Sequence, residues 1–143
     1  MNSIKSLIEN KATKKNLDDF FNSLQPVYIP NMIGNWQGGY FKIKNSWLEF
    51  LLNDYYIIKW HGKIFKSENN VKALITKFLG IKFNMLLGKA VLRQLEYRGK
   101  VSTSMIYNYL PIIDNFRKVD DKTVMGIMDI KGKDQIYFYL IKE

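Results

Sequence analysis

Along the second half of the chain, apolar and polar positions alternate in short runs separated by turn residues. Segments 90–98 and 101–108 flank Gly99-Lys100, segments 112–119 and 123–130 flank Asp120-Asp121-Lys122, and 135–142 follows Lys131-Gly132-Lys133-Asp134. Short strands at this spacing predict an antiparallel meander, closed as a barrel or packed as a sandwich. A two-residue II′ turn at Gly99-Lys100 would set Leu92 opposite Tyr107, Gln94 opposite Met105, Glu96 opposite Thr103 and Arg98 opposite Val101. In the next pair, Asp114, Phe116, Lys118, Met125, Ile127 and Asp129 are expected to share one face, with Ile113, Arg117, Val119, Val124, Met128 and Ile130 on the other. Neither hairpin has a purely polar face. That fits a barrel with a partly polar interior whose outside is partly covered by helices or loops.

The first half reads differently. Residues 3–24 carry helical spacing, with Ile4, Leu7 and Ile8 on one face and Phe20, Phe21 and Leu24 on another. A break near Thr13-Lys14-Lys15 divides them into two short helices, the second with Asn16 as N-cap and Asp18 and Asp19 in its first turn. Pro26 and Pro30 end the helical part. Residues 36–43 predict a strand in which Gly38-Gly39 marks a bulge or a close backbone approach. Residues 47–52 predict a short helix, and 55–60 with 63–66 a hairpin turning at His61-Gly62. Apolar positions at 71, 74, 75 and 78 predict another short helix, stopped at Gly80. The expected fold class is mainly β (α+β): a small antiparallel β-barrel with N-terminal helices packed on it. All 143 residues are expected to form a single domain, with a helical segment 1–26, a middle part 31–87 and the meander 88–143.

Composition narrows the chemistry. The chain has no cysteine and one histidine, His61, which excludes a disulfide scaffold, a thiol nucleophile, a thiolate zinc site and a His-rich metal site. No metal is expected, and His61 reads as a turn residue rather than a haem or metal ligand. There is no Gly-x-Gly-x-x-Gly, no P-loop and no Gly-x-Ser-x-Gly elbow. In Gly34-Asn35-Trp36-Gln37-Gly38-Gly39, Trp36 stands where a phosphate cradle needs a small residue. Residues 1–16 hold no unbroken apolar run, so a soluble cytoplasmic protein is expected.

Net charge is +9, from 22 Lys+Arg against 13 Asp+Glu. The only arginines are Arg93, Arg98 and Arg117, and the lysines are scattered from Lys5 to Lys142 without a block longer than two. A nucleic-acid stripe clusters its charge and draws on arginine, so the scatter argues against that partner. The same scatter draws attention to the arginines. Asp114 and Asp129 sit in apolar surroundings. They either end their strands at a solvated rim or form a carboxylate–arginine network with Arg98 or Arg117 inside a cavity, where buried charges require partners. Trp36 and Trp60 are core plugs or the walls of a ligand site. Tyr107 either donates into a cavity or fills space.

Some segments carry a resemblance. Gly34-Asn35-Trp36-Gln37-Gly38 matches the motif of the uncharacterised bacterial GXWXG proteins, and Trp60-His61-Gly62-Lys63-Ile64-Phe65 resembles their Trp-(Tyr/His)-Gly-Lys-x-Phe segment. Leu92-Arg93, Glu96-Tyr97-Arg98-Gly99, Met105-Ile106-Tyr107, Leu110-Pro111-Ile112-Ile113-Asp114, Phe116-Arg117-Lys118-Val119-Asp120 and Met128-Asp129-x-Lys131-Gly132 resemble the domain of unknown function that follows the motif in that family. A weaker likeness is to lipocalins and nitrobindin-type calycins, which also place a Gly-x-Trp near the first barrel strand. That likeness implies a calycin-like barrel whose tryptophan closes one end and whose cavity holds an apolar ligand or haem. The chain departs from nitrobindin in having no histidine in its late strands, and no cofactor is assigned.

The expected function is binding of a small, largely apolar molecule with a polar or acidic head inside the barrel. Arg98 and Arg117 would be its charge partners, with Glu96, Asp114 and Tyr107 orienting polar groups and Trp36 and Trp60 lining or closing the cavity. One alternative is an enzyme on a hydrophobic small molecule, with Asp114 or Glu96 as general base. Another is a basic module for nucleic acid or an anionic membrane surface.

Overall fold

A computed structural model describes residues 3–43 and 60–143. Among these residues, three short helices, α1 (Ile4–Glu9), α2 (Lys14–Ser23) and α3 (Ile29–Met32), precede nine strands. The strands are β1 (Gly34–Tyr40), β2 (Trp60–Ser67), β3 (Asn70–Phe78), β4 (Ile81–Asn84), β5 (Lys89–Tyr97), β6 (Lys100–Tyr107), β7 (Ile112–Asp120), β8 (Thr123–Ile130) and β9 (Lys133–Lys142). The order is β2-β1-β9-β8-β7-β6-β5-β3, with β2 pairing β3 to close the ring and β4 attached to β3 alone. All pairings between the described strands are antiparallel, and eight of these strands form a closed barrel. Its seam joins the two halves of the chain, running from Trp36 opposite Lys142 to Tyr40 opposite Phe138. Among the described residues, no helix is long and apolar enough to cross a membrane.

The expected β-rich class and the five later strands appear as read, and several local expectations are corrected. The β5–β6 turn is Arg98-Gly99, with Tyr97 paired to Lys100 and Leu92 to Met105. Both turn residues have positive φ (50° and 82°), the requirement of a I′ rather than a II′ turn. The register moves by two residues, so the residues sharing each face are unchanged. Between β7 and β8 the faces do change. Asp114 pairs with Met128, Phe116 with Gly126 and Lys118 with Val124, and a bulge separates Lys118 from Asp120. Val124, Gly126 and Met128 therefore join Asp114, while Met125 and Ile127 point outward.

Residues 71–78 form β3, not a helix. Val71, Ala73 and Ile75 are buried in strict alternation, and the Val/Ile/Thr content suits a strand that completes the ring. His61-Gly62 lies within β2 and turns nothing. The helix expected at 47–52, and residues 55–59 of the expected hairpin, lie outside the described residues. The cap of α2 is Thr13, whose Oγ accepts from the Asn16 N–H while the Asn16 side chain accepts from the Thr13 N–H, a reciprocal capping box.

Two buried clusters explain the absence of a polar face. Inside the barrel, Phe65, Phe116 and Phe138 pack edge to face at 5.8–6.0 Å between ring centroids, with Trp36, Leu92, Met105 and Leu140 around them. Gly126 is required there because a Cβ would enter the Phe138 ring, and Gly38 is required because the Trp60 ring lies on it. Outside, α1 and α2 bury Leu7, Leu17 and Phe21 against Met125, Ile127, Tyr137 and Phe41. Residues 25–27 lie where β6 and β7 splay apart. The Lys118 N–H donates to Gln25 O, and the Thr103 N–H donates to Val27 O. Val27 and Met32 of α3 then join the interior cluster beside Trp36.

Candidate functional site

β2 carries Lys63 and Phe65 in the same phase, so the run that puts Phe65 into the core also brings in a lysine. Lys63 is 2% exposed and Asp114 of β7 is 0% exposed. Their charged atoms, Nζ and Oδ2, are 3.1 Å apart. Nζ donates to Ala73 O at 3.1 Å and to Tyr107 Oη at 3.3 Å. It also lies 5.1 Å from the Trp60 ring centroid, 5.4 Å from that of Phe138 and 5.5 Å from that of Tyr107. Three aromatic faces thus supplement one counter-charge.

Asp114 is not so well provided for. Its ion-pair contact lacks hydrogen-bond alignment, and neither carboxylate oxygen accepts a hydrogen bond from any described residue. A buried acceptor without a donor is costly, and a buried carboxylate more so. Burial pushes the Asp114 carboxyl above its usual range, with Lys63 pulling the other way, and pushes the Lys63 ammonium below its own against the attraction of Asp114. Burial and the Asp114 charge raise Tyr107 well above an ordinary phenol and Tyr40 to about 12. Burial thus works against the charge on both members of the pair, and each member works to keep the other charged.

The space beside the pair is ≈ 20 Å³, room for about one water, and Tyr40, Trp60, Leu74, Met128 and Phe138 complete its lining. Among the described residues, no three His, Asp or Glu side chains gather as a metal site.

Of the residues singled out from sequence, Trp60, Tyr107 and Asp114 meet here. Trp36 lies deeper in the barrel, its indole N–H donating to Met32 O at 2.7 Å beneath α3. Glu96 accepts from the Gly99 N–H at the β5–β6 turn, 2.7 Å away. Arg98 sits in that turn and donates to Asp18 Oδ1 at 3.0 Å and Asn22 Oδ1 at 3.3 Å. Arg117 lies on the outer wall under α2, donating to Tyr97 O at 2.8 Å, Leu24 O at 3.3 Å and Phe21 O at 3.5 Å. Neither arginine faces the cavity. The expected carboxylate–arginine network is replaced by a carboxylate–lysine pair, because a one-position change of phase along β7 separates Asp114 from Arg117. Asp129 is half-buried on the outer surface, beside a shallow apolar cleft at Pro111 and Lys131. Lys63 escapes sequence reasoning. Its signal was the alternation Lys63-Ile64-Phe65, a lysine in step with a core phenylalanine.

Two family models match the chain: the GXWXG protein model over residues 19–78, and a domain of unknown function (DUF4334) over residues 88–142. A solved crystal structure of a protein from Thermomonospora curvata is 36% identical, covering 93% of this chain and 89% of its own, with a TM-score of 0.81. The chain belongs to the GXWXG family with its C-terminal domain of unknown function. No curated protein matches it. The GXWXG motif itself is the start of β1: Trp36 enters the core, and Gly38 yields its side-chain space to Trp60. The Trp-His-Gly-Lys-x-Phe segment is β2, and its lysine is the partner of Asp114.

Proposed function

We propose that this member of the GXWXG family binds a small, largely apolar molecule at the Lys63–Asp114 end of the barrel, through a polar head that donates a hydrogen bond. The observation that carries the reading is the pair of Asp114 oxygens, wholly buried beside the Lys63 ammonium but without an aligned hydrogen bond from any described residue. A hydroxyl, an amine or a protonated acid would supply that donor, while the aromatic walls take the apolar body. The ≈ 20 Å³ cavity has room for about one water. A larger body enters by displacing half-buried Leu74 and Met128, the latter an unbranched, adaptable side chain.

The test is native mass spectrometry of the full chain purified from its own host, followed by organic extraction, on wild type and on the Lys63→Met/Asp114→Leu double variant. A near-stoichiometric adduct on wild type that the double variant lacks is the expected result. An adduct of equal occupancy on both proteins would place binding elsewhere. If wild type is bare, and medium-chain alcohols, amines and fatty acids leave its tryptophan fluorescence unchanged, the reading fails.

A second reading, an enzyme with Asp114 as general base, draws on the upward push that burial gives this carboxyl beside an amine. Glu96 is occupied as a turn cap and is not part of it. Incubation with the extracted ligand separates the two: a carrier returns it unchanged, and an enzyme returns a product of different mass.

A further inference from the structure

Seven of the eleven exposed large hydrophobic residues among those described fall within residues 78–87, the β3–β4 hairpin and the loop that follows it. Phe78 and Ile81 face each other across the hairpin and share one side with Phe83, while Lys77 and Lys82 pair on the opposite side. The two turns that bound β4 expose leucine, Leu79 at 86% and Leu86 at 90%. The hairpin is therefore amphipathic, with its apolar side turned to solvent.

Two features set this surface apart from an accidental patch. Leu79 (φ 48°) and Leu87 (φ 70°) occupy left-handed backbone positions that favour glycine or asparagine. The two other I′ turns of the barrel carry Arg98 and Lys131 at the position of Leu79. Here the turn accepts backbone strain and water exposure together, in order to place an apolar side chain at its tip. The second feature is charge. Between Glu68 and Glu96 there is no acidic residue and there are five cations, of which Lys82 lies 3.3 Å from Glu143 and Arg93 3.7 Å from Glu68, while Lys72, Lys77 and Lys89 have no acid within ion-pair distance among the described residues.

We propose that the β3–β4 hairpin docks the protein on an anionic lipid surface. Phe78, Leu79, Ile81, Phe83 and Leu86 enter the boundary between headgroups and acyl chains, and the flanking lysines meet the phosphates. A second copy of the chain is disfavoured as the occupant, because pairing β4 with β4 would bring two sets of these lysines together on a chain already at +9. The proposal does not depend on the ligand reading above, since residues 78–87 do not line the space beside the Lys63–Asp114 pair.

The experiment is co-sedimentation of the full chain with vesicles of phosphatidylcholine alone and of phosphatidylcholine mixed with phosphatidylglycerol, beside a sizing measurement by light scattering. The expected result is sedimentation with the mixed vesicles, at least about tenfold weaker with phosphatidylcholine alone and weakened by salt. The exposed double substitution Leu79→Asn/Leu86→Ser, with its fold checked by circular dichroism, should weaken binding to mixed vesicles by at least about 30-fold. Sedimentation unchanged by that substitution would mean that scattered lysines bind the surface without the hairpin, and would overturn the proposal. So would failure to sediment with either vesicle, or a dimer that the substitution abolishes in a protein that ignores lipid.

Discussion

Two charged side chains are buried three positions apart on one strand, and they are treated in opposite ways. Arg117, 1% exposed on the outer wall, gives its guanidinium hydrogens to three backbone carbonyls, of which those of Phe21 and Leu24 lie at the C-terminal end of α2. Its guanidinium also lies 4.7 Å from the Phe21 ring centroid. A cation at the negative end of a helix, adding its donors to carbonyls that the Leu24 N–H and Lys100 also reach, is a fastening. Asp114, inside the wall, has a counter-charge but no aligned hydrogen bond from a described residue. Full satisfaction marks a group the fold uses, and incomplete satisfaction marks a group held ready for something else.

That contrast breaks most visibly if Asp114 alone is removed. Asp114→Leu leaves the Lys63 ammonium buried among rings without its counter-charge, and should cost about 3–5 kcal/mol in urea unfolding. Replacing both members, Lys63→Met with Asp114→Leu, should return the protein to wild-type stability or raise it by about 1–4 kcal/mol, since an apolar pair suits this interior better than an incompletely bonded ionic one. A double variant as weak as the single one would mean that the pair is a structural element like Arg117. On the outer wall, Arg117→Met should cost about 1–3 kcal/mol, because an apolar side chain of similar length removes the guanidinium donors to three carbonyls, the shortest of them to Tyr97 O. Arg117→Lys should recover less than half of that, having one compact charge in place of a planar fork. No apolar partner substitution offsets the loss, because the other halves of these bonds are backbone.

The same contrast explains what could be read from the chain. The strands β5 to β9 were legible because their turns, two of them X-Gly pairs, interrupt apolar runs at short intervals. The ring closure was not, since β1 meets β9 across most of the sequence and local pattern is silent on such pairings. β3 misled because positions 71, 74, 75 and 78 fit a helical stripe while burial follows 71, 73 and 75, with Ala73 too small to announce itself. The β7–β8 faces inverted on a single bulge at Lys118–Asp120. At the site, Asp114, Tyr107 and Trp60 were visible as polar or large groups in apolar context. Lys63 was hidden among many solvated lysines, and the arginines drew attention through scarcity, which says nothing of the face on which a residue sits.

The smallest expected effect lies in acid, where the two regions should respond with opposite sign. Asp18 of α2 is held by Lys14 at 2.7 Å, Tyr137 Oη at 2.6 Å and Arg98 at 3.0 Å. Burial pushes its carboxyl up, but these three partners together hold it below the ordinary 3.8. Its contribution is therefore complete above pH 3.8 and is lost as pH falls through the lower folded value, where the unfolded chain binds the proton more readily. Asp114 is displaced upward, so it binds the proton more readily when folded, and its term weakens the protein as pH rises above 3.8. Urea midpoints between about pH 5 and pH 3 read both slopes. Asp18→Asn should flatten the acid loss by about 0.5 kcal/mol or less, because solvent screens a partly exposed carboxylate. Asp114→Asn should leave that loss in place and remove the opposing rise. If Asp114→Asn shifts the acid limb in the same direction as Asp18→Asn, the carboxyl inside the barrel is held ionised by its surroundings, and the distinction between the two faces of β7 fails.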